Sequence, residues 1–347
     1  MKAENILEIK NLKVKFPIHG GLFLKKVAEV KAVDGVSLEL KRGETLGLVG
    51  ESGCGKSTIG KAVINILKFS SPDVEIEGEV WLRTDAGEID LLKLSRNDMR
   101  EYRGLIQMIF QDPYSSLNSR MSVGQIIEEP MLYHTKMNKN ERMEKVAWLM
   151  LKVGLQPEQS KRYPHEFSGG QRQRIGIARS LATNPRIIVA DEPVSALDVS
   201  IQAQVINLMQ ELQAEFDLSL LFVAHDLSVV EHISSRIAVM YLGSIVEIGN
   251  GKEIYHNPVH PYSKALLSAV PLPNPDRKKK ERIILKGDVP NPINKPSGCS
   301  FRTRCPIAKA DCALAVPPLE LKKEGHYAAC PYVSYDTVIE ESIENRA

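Results

Sequence analysis

The stretch LGLVGESGCGKST, residues 46–58, decides how the rest of the chain is read. Its apolar start, Leu46 to Val49, predicts a buried strand. Gly50 follows, then four residues, then Gly55-Lys56-Ser57, the spacing G-x-x-x-x-G-K-S. Glycines in such a turn let successive backbone N–H groups point inward onto phosphate oxygens, because no Cβ obstructs the dihedrals or the approach. Lys56 is then the residue that reaches the β- and γ-phosphates, and Ser57 is the Mg²⁺ ligand. The helix that begins there turns its positive end toward the anion. Glu51, Ser52, Gly53, Cys54 and Thr58 complete the cradle. The bland alternative is a glycine-rich strand–helix turn with a chance lysine, and the remainder of the chain has to decide between them. Cys54 has two readings: a small residue filling the loop, or a thiol whose oxidation would silence the site.

The chain has 347 residues, room for one large domain with an appendage, or for two domains. Hydrophobic residues at 43% and charged residues at 25% give an ordinary globular balance, which excludes a disordered chain. A net charge of +2 gives no pointer to nucleic acid. The opening MKAENILEIK has neither an apolar core nor a small-residue cleavage site, so no signal peptide is expected. The longest apolar run, Leu218 to Ala224, is strand-length and far short of the ~20 residues of a membrane helix. The expected location is therefore cytoplasmic, with any membrane association supplied by a partner.

Outward from residues 46–58, alternation predicts strands at 6–16 and 33–40, separated by a loop over Pro17 to Glu29. A helix from Lys56 to about Leu67 carries Ile59, Val63 and Ile66 on one side. Glu75 to Asp90 reads as a hairpin turned at Thr84 to Gly87, Ser95 with Asp98 as the start of a short helix, and Leu105 to Phe110 as a strand. From Ser122 to Arg162 the pattern is helical, with Met143, Val146, Leu149, Met150 and Val153 as an amphipathic stripe stopped by Gly154. That is a helical subdomain, about 112–165, inserted into an α/β core. Strands and helices then alternate to about residue 250, which predicts a largely parallel sheet with its ligand at the carboxyl ends of the strands. Past Leu272 the composition becomes that of a linker (271–298), Pro-rich and including the basic run Arg277 to Lys280, which reads as a solvated face.

A phosphate loop needs an acidic partner for Mg²⁺, and Ile187-Ile188-Val189-Ala190-Asp191-Glu192 supplies one at the end of an apolar strand. Asp191 is placed to hold the Mg²⁺ shell and Glu192 to polarise an attacking water. Alone this motif is weak; with Lys56 and Ser57 it is strong.

At this point the residues resemble a known family. Phe167-Ser168-Gly169-Gly170-Gln171 is similar to the signature of ABC ATPases, with Phe where Leu is commoner. Gln111 resembles the Q-loop glutamine, Ser195-Ala196-Leu197-Asp198 the D-loop, and His225 the switch histidine. Phe16 is the best match to the aromatic that stacks on adenine. The resemblance covers residues 6 to about 270, and it implies a P-loop NTPase (RecA-like) core with an N-terminal antiparallel β portion, the helical subdomain and a small C-terminal cysteine-rich extension. It implies ATP and Mg²⁺ as ligands, with Ser57, Gln111 and Asp191 at the metal and Lys56, Gln111, Glu192 and His225 in hydrolysis. It also implies two subunits, a homodimer or a heterodimer, placed head to tail so that each ATP lies between Lys56 of one and Ser168 to Gln171 of the other.

Four cysteines crowd the end of the chain: Cys299-x5-Cys305-x6-Cys312-x17-Cys330. In a reducing compartment such a cluster reads first as metal ligands. No pair has the C-x-x-C spacing of zinc ribbons, so an iron–sulfur cluster fits as well as zinc or better, with unmetallated buried cysteines as a third reading. The segment Gly298 to Pro306, with His260-Pro261-Tyr262-Ser263-Lys264-Ala265-Leu266, resembles the ATP-binding subunits of oligopeptide/dipeptide/nickel permeases. That resemblance implies a 4Fe–4S cluster on Cys299, Cys305, Cys312 and Cys330 within a metal-binding region at 299–332; His326 is an alternative ligand, but reads first as a surface residue. It further implies an ABC ATPase domain over 1–270 and an extension over 271–347. The whole protein is then expected on the cytoplasmic face of the membrane, energising peptide uptake through two permease subunits and, indirectly, an extracytoplasmic binding protein. Residues 112–131 are the candidate permease contacts. Nickel or oligosaccharide cargo is the alternative within the same role. A soluble ABC ATPase of repair or translation is a second class, which a long coiled coil or a strongly basic face would have favoured.

Overall fold

A computed structural model describes residues 4–21, 25–270 and 283–335. The basic run 277–280 and the first part of the expected linker lie outside the described residues. The chain opens with two long antiparallel strands, Asn5–Gly20 (β1) and Lys25–Lys41 (β2), followed by Thr45–Val49 (β3) and the helix Lys56–Val63 (α1). A short helix, Leu67–Ser70 (α2), leads into the hairpin Glu75–Thr84 (β4) and Gly87–Asp90 (β5). Met99–Arg103 (α3) and Ile106–Ile109 (β6) come next. Three helices follow, Val123–His134 (α4), Lys139–Lys152 (α5) and Gly169–Leu181 (α6), each opened by a capping box.

The chain then alternates: Ile187–Asp191 (β7), Val199–Phe216 (α7), Ser219–Val223 (β8), Leu227–Ile233 (α8), Arg236–Tyr241 (β9) and Ser244–Asn250 (β10). Gly251–His256 (α9) and Pro261–Ser268 (α10) close this part. Two short strands of the extension, Glu320–Lys323 (β11) and His326–Ala328 (β12), complete the described elements.

The strands form two sheets, β2-β1-β4-β5 and β11-β12-β10-β9-β3-β8-β7-β6. In the larger sheet β9, β3, β8, β7 and β6 run parallel, and β10, β12 and β11 add an antiparallel edge. All five residues of β3, β7 and β8 are buried. Such strands are apolar on both faces because helices or a second sheet cover both sides. Alternate residues serve different cores: Ile188, Ala190, Leu220 and Phe222 face the helical subdomain and α7. Ile187, Val189, Leu221 and Val223 face α1 and the antiparallel sheet. The carboxyl ends of β3, β7 and β8 therefore meet at one rim.

Two expectations change, and the extension finds its place. Residues 17–20 and 25–29 extend β1 and β2 as a paired ribbon, with Pro17 opposite Glu29 and Gly20 opposite Lys25, and Lys26 ties it to Glu29 and Glu75. Met143 is exposed, and the stripe of α5 that meets the core begins at Val146. The extension joins the large sheet: β12 pairs with β10 through Glu247–Ala328 and Ile248–Tyr327.

Candidate functional site

The loop after β3 folds as its glycines require. Gly55 has φ 104°, and a Cβ there would lie 2.1 Å from the carbonyl oxygen of Ala32. The Lys56 side chain is buried, with Nζ donating to the carbonyl oxygens of Gly50 at 2.8 Å and Glu51 at 3.1 Å. Cys54 is 4% exposed and its Sγ lies 3.8 Å from that Nζ. Burial pushes the Cys54 thiol pKa up, against the pull of Lys56, so its geometry is that of a loop filler.

Across the rim, Ser57 Oγ donates to Asp191 Oδ1 at 2.6 Å, which ties the first turn of α1 to the end of β7. Burial raises the Asp191 carboxyl pKa, and the Ser57 hydrogen bond opposes that rise. Glu192, the next residue, has φ 45°. A left-handed non-glycine residue costs about 1–3 kcal/mol, and such strain gathers at functional sites. Its amide donates to the Val223 carbonyl at 2.9 Å, which fixes the turn. The Glu192 carboxylate accepts from Gln111 Nε2 at 2.9 Å and lies 3.3 Å from His225 Nδ1. The ends of β6, β7 and β8 thus bring Gln111, Glu192 and His225 onto one carboxylate. Ser195 Oγ donates to the Glu192 carbonyl at 3.1 Å, so the segment 195–198 is joined to the same turn.

Ser168 to Gln171 stand elsewhere in the chain. Ser168 Oγ accepts from the Gln171 amide and Gln171 Oε1 accepts from the Ser168 amide. Gly169 and Gly170, which open α6, pack toward Leu197 and Ile201 respectively. Phe16 is half-buried on β1 opposite Val30, against the core beneath the antiparallel sheet.

Cys299, Cys305, Cys312 and Cys330 line one cavity of about 220 Å³ together with Phe301 and His260. None is in a disulfide. Burial pushes the Cys305 thiol up to about 11 and raises Cys299 and Cys330 as well. Gly298, at φ 62°, lets the backbone close on itself here: a Cβ would sit 2.3 Å from the Cys312 carbonyl oxygen. Among the described residues, no three His, Cys, Asp or Glu side chains are grouped so as to hold a single metal ion. His326 is not at the surface: it is 2% exposed, with Nε2 2.7 Å from the fully buried Glu247.

Two family models match the chain, ABC transporter over residues 33–195 and oligopeptide/dipeptide transporter, C-terminal region, over residues 246–312. The oligopeptide transport ATP-binding protein AppF of Bacillus subtilis is 54% identical over 329 residues, 94% of this chain and 97% of its own length. The chain belongs to the ABC transporter ATP-binding proteins. OppF of Salmonella typhimurium is 56% identical over 91% of this chain and 92% of its own. The dipeptide transport ATP-binding protein DppF of Haemophilus influenzae is 49% identical over 94% and 97%. Among solved structures, the ATP-binding cassette MJ0796, in a dimeric post-hydrolysis state bound to ADP and Pi, matches with a TM-score of 0.58 and 27% identity. That match covers 70% of this chain and 98% of the cassette. This ABC chain is accordingly an ATPase of a transport system, and among its described residues no helix is long and apolar enough to cross a membrane.

Some residues that shape this ABC site were not among the site residues expected from the sequence. Tyr262 Oη accepts from the Glu51 amide at 2.9 Å, although 211 positions separate them. Arg179 Nη1 donates to the Ser116 carbonyl at 2.6 Å, and the Arg172 guanidinium lies 3.9 Å from the Tyr114 ring centroid. Both arginines belong to α6, so the helix that starts at Ser168 also grips the segment after Gln111. Only the arginines' helical spacing, one face at i and i+7, hinted at this.

Proposed function

We propose that this chain is the ATP-hydrolysing subunit of an importer for di- and oligopeptides. The observation that carries the reading is the convergence of Lys56, Ser57, Asp191, Glu192, Gln111 and His225 at one rim of the sheet. In this reading Lys56 and the loop amides of Gly50 to Thr58 take the phosphates, and Ser57, Asp191 and Gln111 hold the Mg²⁺ shell. Glu192 orients and deprotonates the attacking water, with His225 beside it, and Phe16 stacks on the adenine. The α6 N-terminus, Ser168 to Gln171, supplies the opposite wall to a second ATPase subunit, identical or similar, with Ser195 to Asp198 between the two sites. Nucleotide binding then closes the pair and hydrolysis opens it, since the γ-phosphate contacts exist in one state only.

Two permease subunits are the partners that bring the chain to the membrane. The exposed Tyr114, at 63%, lies in the segment the α6 arginines hold, and it supports docking within residues 112–131. The peptide cargo rests on the relatives' function in oligopeptide and dipeptide transport and on the match of the C-terminal region. Replacing Lys56 by Ala in the intact transporter should abolish uptake of labelled di- and oligopeptides and spare nickel and oligosaccharide uptake. Unchanged peptide uptake would refute the cargo.

The cavity lined by Cys299, Cys305, Cys312 and Cys330 fits a 4Fe–4S cluster in its donor set: four free thiols, with His326 turned away onto Glu247. The absence of a C-x-x-C pair among the four cysteines is what favours a cluster over a single tetrahedral zinc in this reading. When bound, such a group would stake down a Pro-rich segment that has little core of its own. Anaerobic purification should yield iron and sulfide in equal amounts; zinc at one per chain without iron would replace the cluster by zinc.

A further inference from the structure

The C-terminal extension holds the phosphate loop directly. Arg304 Nη1 and Nη2 donate to Oε2 and Oε1 of Glu51 at 2.8 and 3.1 Å. The fork is largely out of solvent, with the Arg304 side chain 9% and the Glu51 side chain 27% exposed. Paired donors on a carboxylate fix direction as well as distance, which a lone ammonium does not. Glu51 is also the residue whose amide donates to Tyr262 and whose carbonyl accepts from Lys56 Nζ. Moving Glu51 therefore moves an anchor of the lysine that faces the phosphates.

At its other end Arg304 belongs to the cysteine cavity. It precedes Cys305, and its amide donates to the Phe301 carbonyl at 3.0 Å. The Arg302 amide donates to the Cys299 carbonyl at 3.1 Å, and the Cys299 amide to that of Cys312 at 2.8 Å. These bonds make residues 299–305 one compact turn with a cysteine at each end. The Phe301 ring pins the turn between Tyr241 and Tyr262, with centroids 5.2 and 5.4 Å away. Phe301 and the β10–β12 pairing already dock the extension, so docking does not need a fork on a loop residue that, with Gly50, also positions Lys56.

We propose that Arg304 is a positioning residue that couples occupancy of the four-thiol site to nucleotide affinity. A group ligated by Cys299, Cys305, Cys312 and Cys330 fixes the 299–305 turn, and Arg304 then holds Glu51 and the phosphate loop in the form that binds nucleotide. This rests on the reading of the four cysteines as ligands. Coupling between two sites is reciprocal, so nucleotide must in turn slow loss of the group from the thiols.

The test uses the full chain, purified anaerobically, and its Arg304→Met variant. Two quantities are measured: the affinity for Mg²⁺ with a fluorescent ADP analogue, and the rate of iron or zinc release to a chelator with and without Mg-ADP. In the wild type, Mg-ADP should slow release about fivefold or more, at the lower end of ordinary coupling. Arg304→Met should carry the same metal content, bind the analogue about fivefold or more weakly, and release metal at one rate whatever the nucleotide. Arg304→Lys, with charge but no fork, should regain only part of both effects. Nucleotide affinity equal to wild type in Arg304→Met, or release that still responds to Mg-ADP there, overturns the proposal. A merely structural role would change metal content and leave that response in place. A wild-type chain carrying neither iron nor zinc overturns the ligand reading and the occupancy coupling with it, whereas metal whose release ignores Mg-ADP overturns the coupling alone.

Discussion

Replacing Glu192 by Gln isolates the chemistry of the rim from its architecture. Gln has the same shape, and its amide oxygen can still accept from Gln111 Nε2, now 2.9 Å from the Glu192 carboxylate. Its backbone cost at φ 45° matches that of Glu, so the turn after β7 should persist. The groups assigned to the phosphates and Mg²⁺, Lys56, Ser57 and Asp191, keep their contacts. What disappears is a negative charge and a proton acceptor at the position proposed to face the attacking water. A positioned base is worth about 10²–10⁴ in rate, or about 2.7–5.5 kcal/mol of barrier. Phosphate release at saturating Mg-ATP should therefore fall by that factor while ATP affinity stays within about threefold. With hydrolysis blocked, ATP should hold two chains together, visible by light scattering. Hydrolysis within threefold of wild type would refute the role given to Glu192; loss of ATP binding would show that the residue builds the site instead of acting in it.

Gly169→Ala should fold as well as wild type, or better by about 0.5–1 kcal/mol, since a Cβ there meets Leu197 only at 3.5 Å. ATP hydrolysis should nonetheless fall at least tenfold, and unaltered turnover would contradict the shared site. His260 gives a pH signature. Burial draws its pKa down to about 4 from 6.5, so between those values the unfolded chain binds a proton that the native chain refuses. Stability from this residue is complete above pH 6.5 and falls as pH drops toward 4, by about 3 kcal/mol at most. His260→Asn, which can still cap α10, should flatten that fall in urea titrations at pH 7, 5 and 4; an identical slope would refute the assignment.

The parts of the site that were readable in the sequence are those carried by contiguous residues. Gly50 to Ser57 and Asp191-Glu192 are each a strand end and the turn after it, so spacing alone states their geometry. Parallel pairing of the buried strands then has to bring their carboxyl ends together. The parts that were not readable depend on long-range partners. Arg304 and Glu51 lie 253 positions apart, and neither periodicity nor composition marks an ion pair. His326 reads as a surface residue because its partner Glu247, 79 positions away, is itself buried inside a strand. The left-handed turn at Glu192 is equally silent, since Glu has no intrinsic preference for it. Strands β11 and β12 are too short to show a period, and the edge of β10 selects them.

The two glycines that open α6, Gly169 and Gly170, separate what this chain needs for itself from what it offers to another. At Gly170 a Cβ would meet Ile201 Cγ2 at 2.5 Å, so packing of α6 on α7 already forbids a side chain there. At Gly169 the chain imposes no such limit, for a Cβ would make only ordinary contact and alanine favours a helix. A residue that leaves helix stability unclaimed without relieving any contact of its own chain answers to something outside it. The first amides of α6 have no intrahelical acceptor, and at Gly169 no side chain stands over them. In the shared site proposed above these amides are the ones turned toward an anion from outside the chain, and α6 is held to the segment after Gln111 by Arg172 and Arg179. On the proposal of a head-to-tail pair, a γ-phosphate presented by the phosphate loop of a second subunit would supply the missing acceptor, and Gly169, which its own chain does not require, would then have a reason.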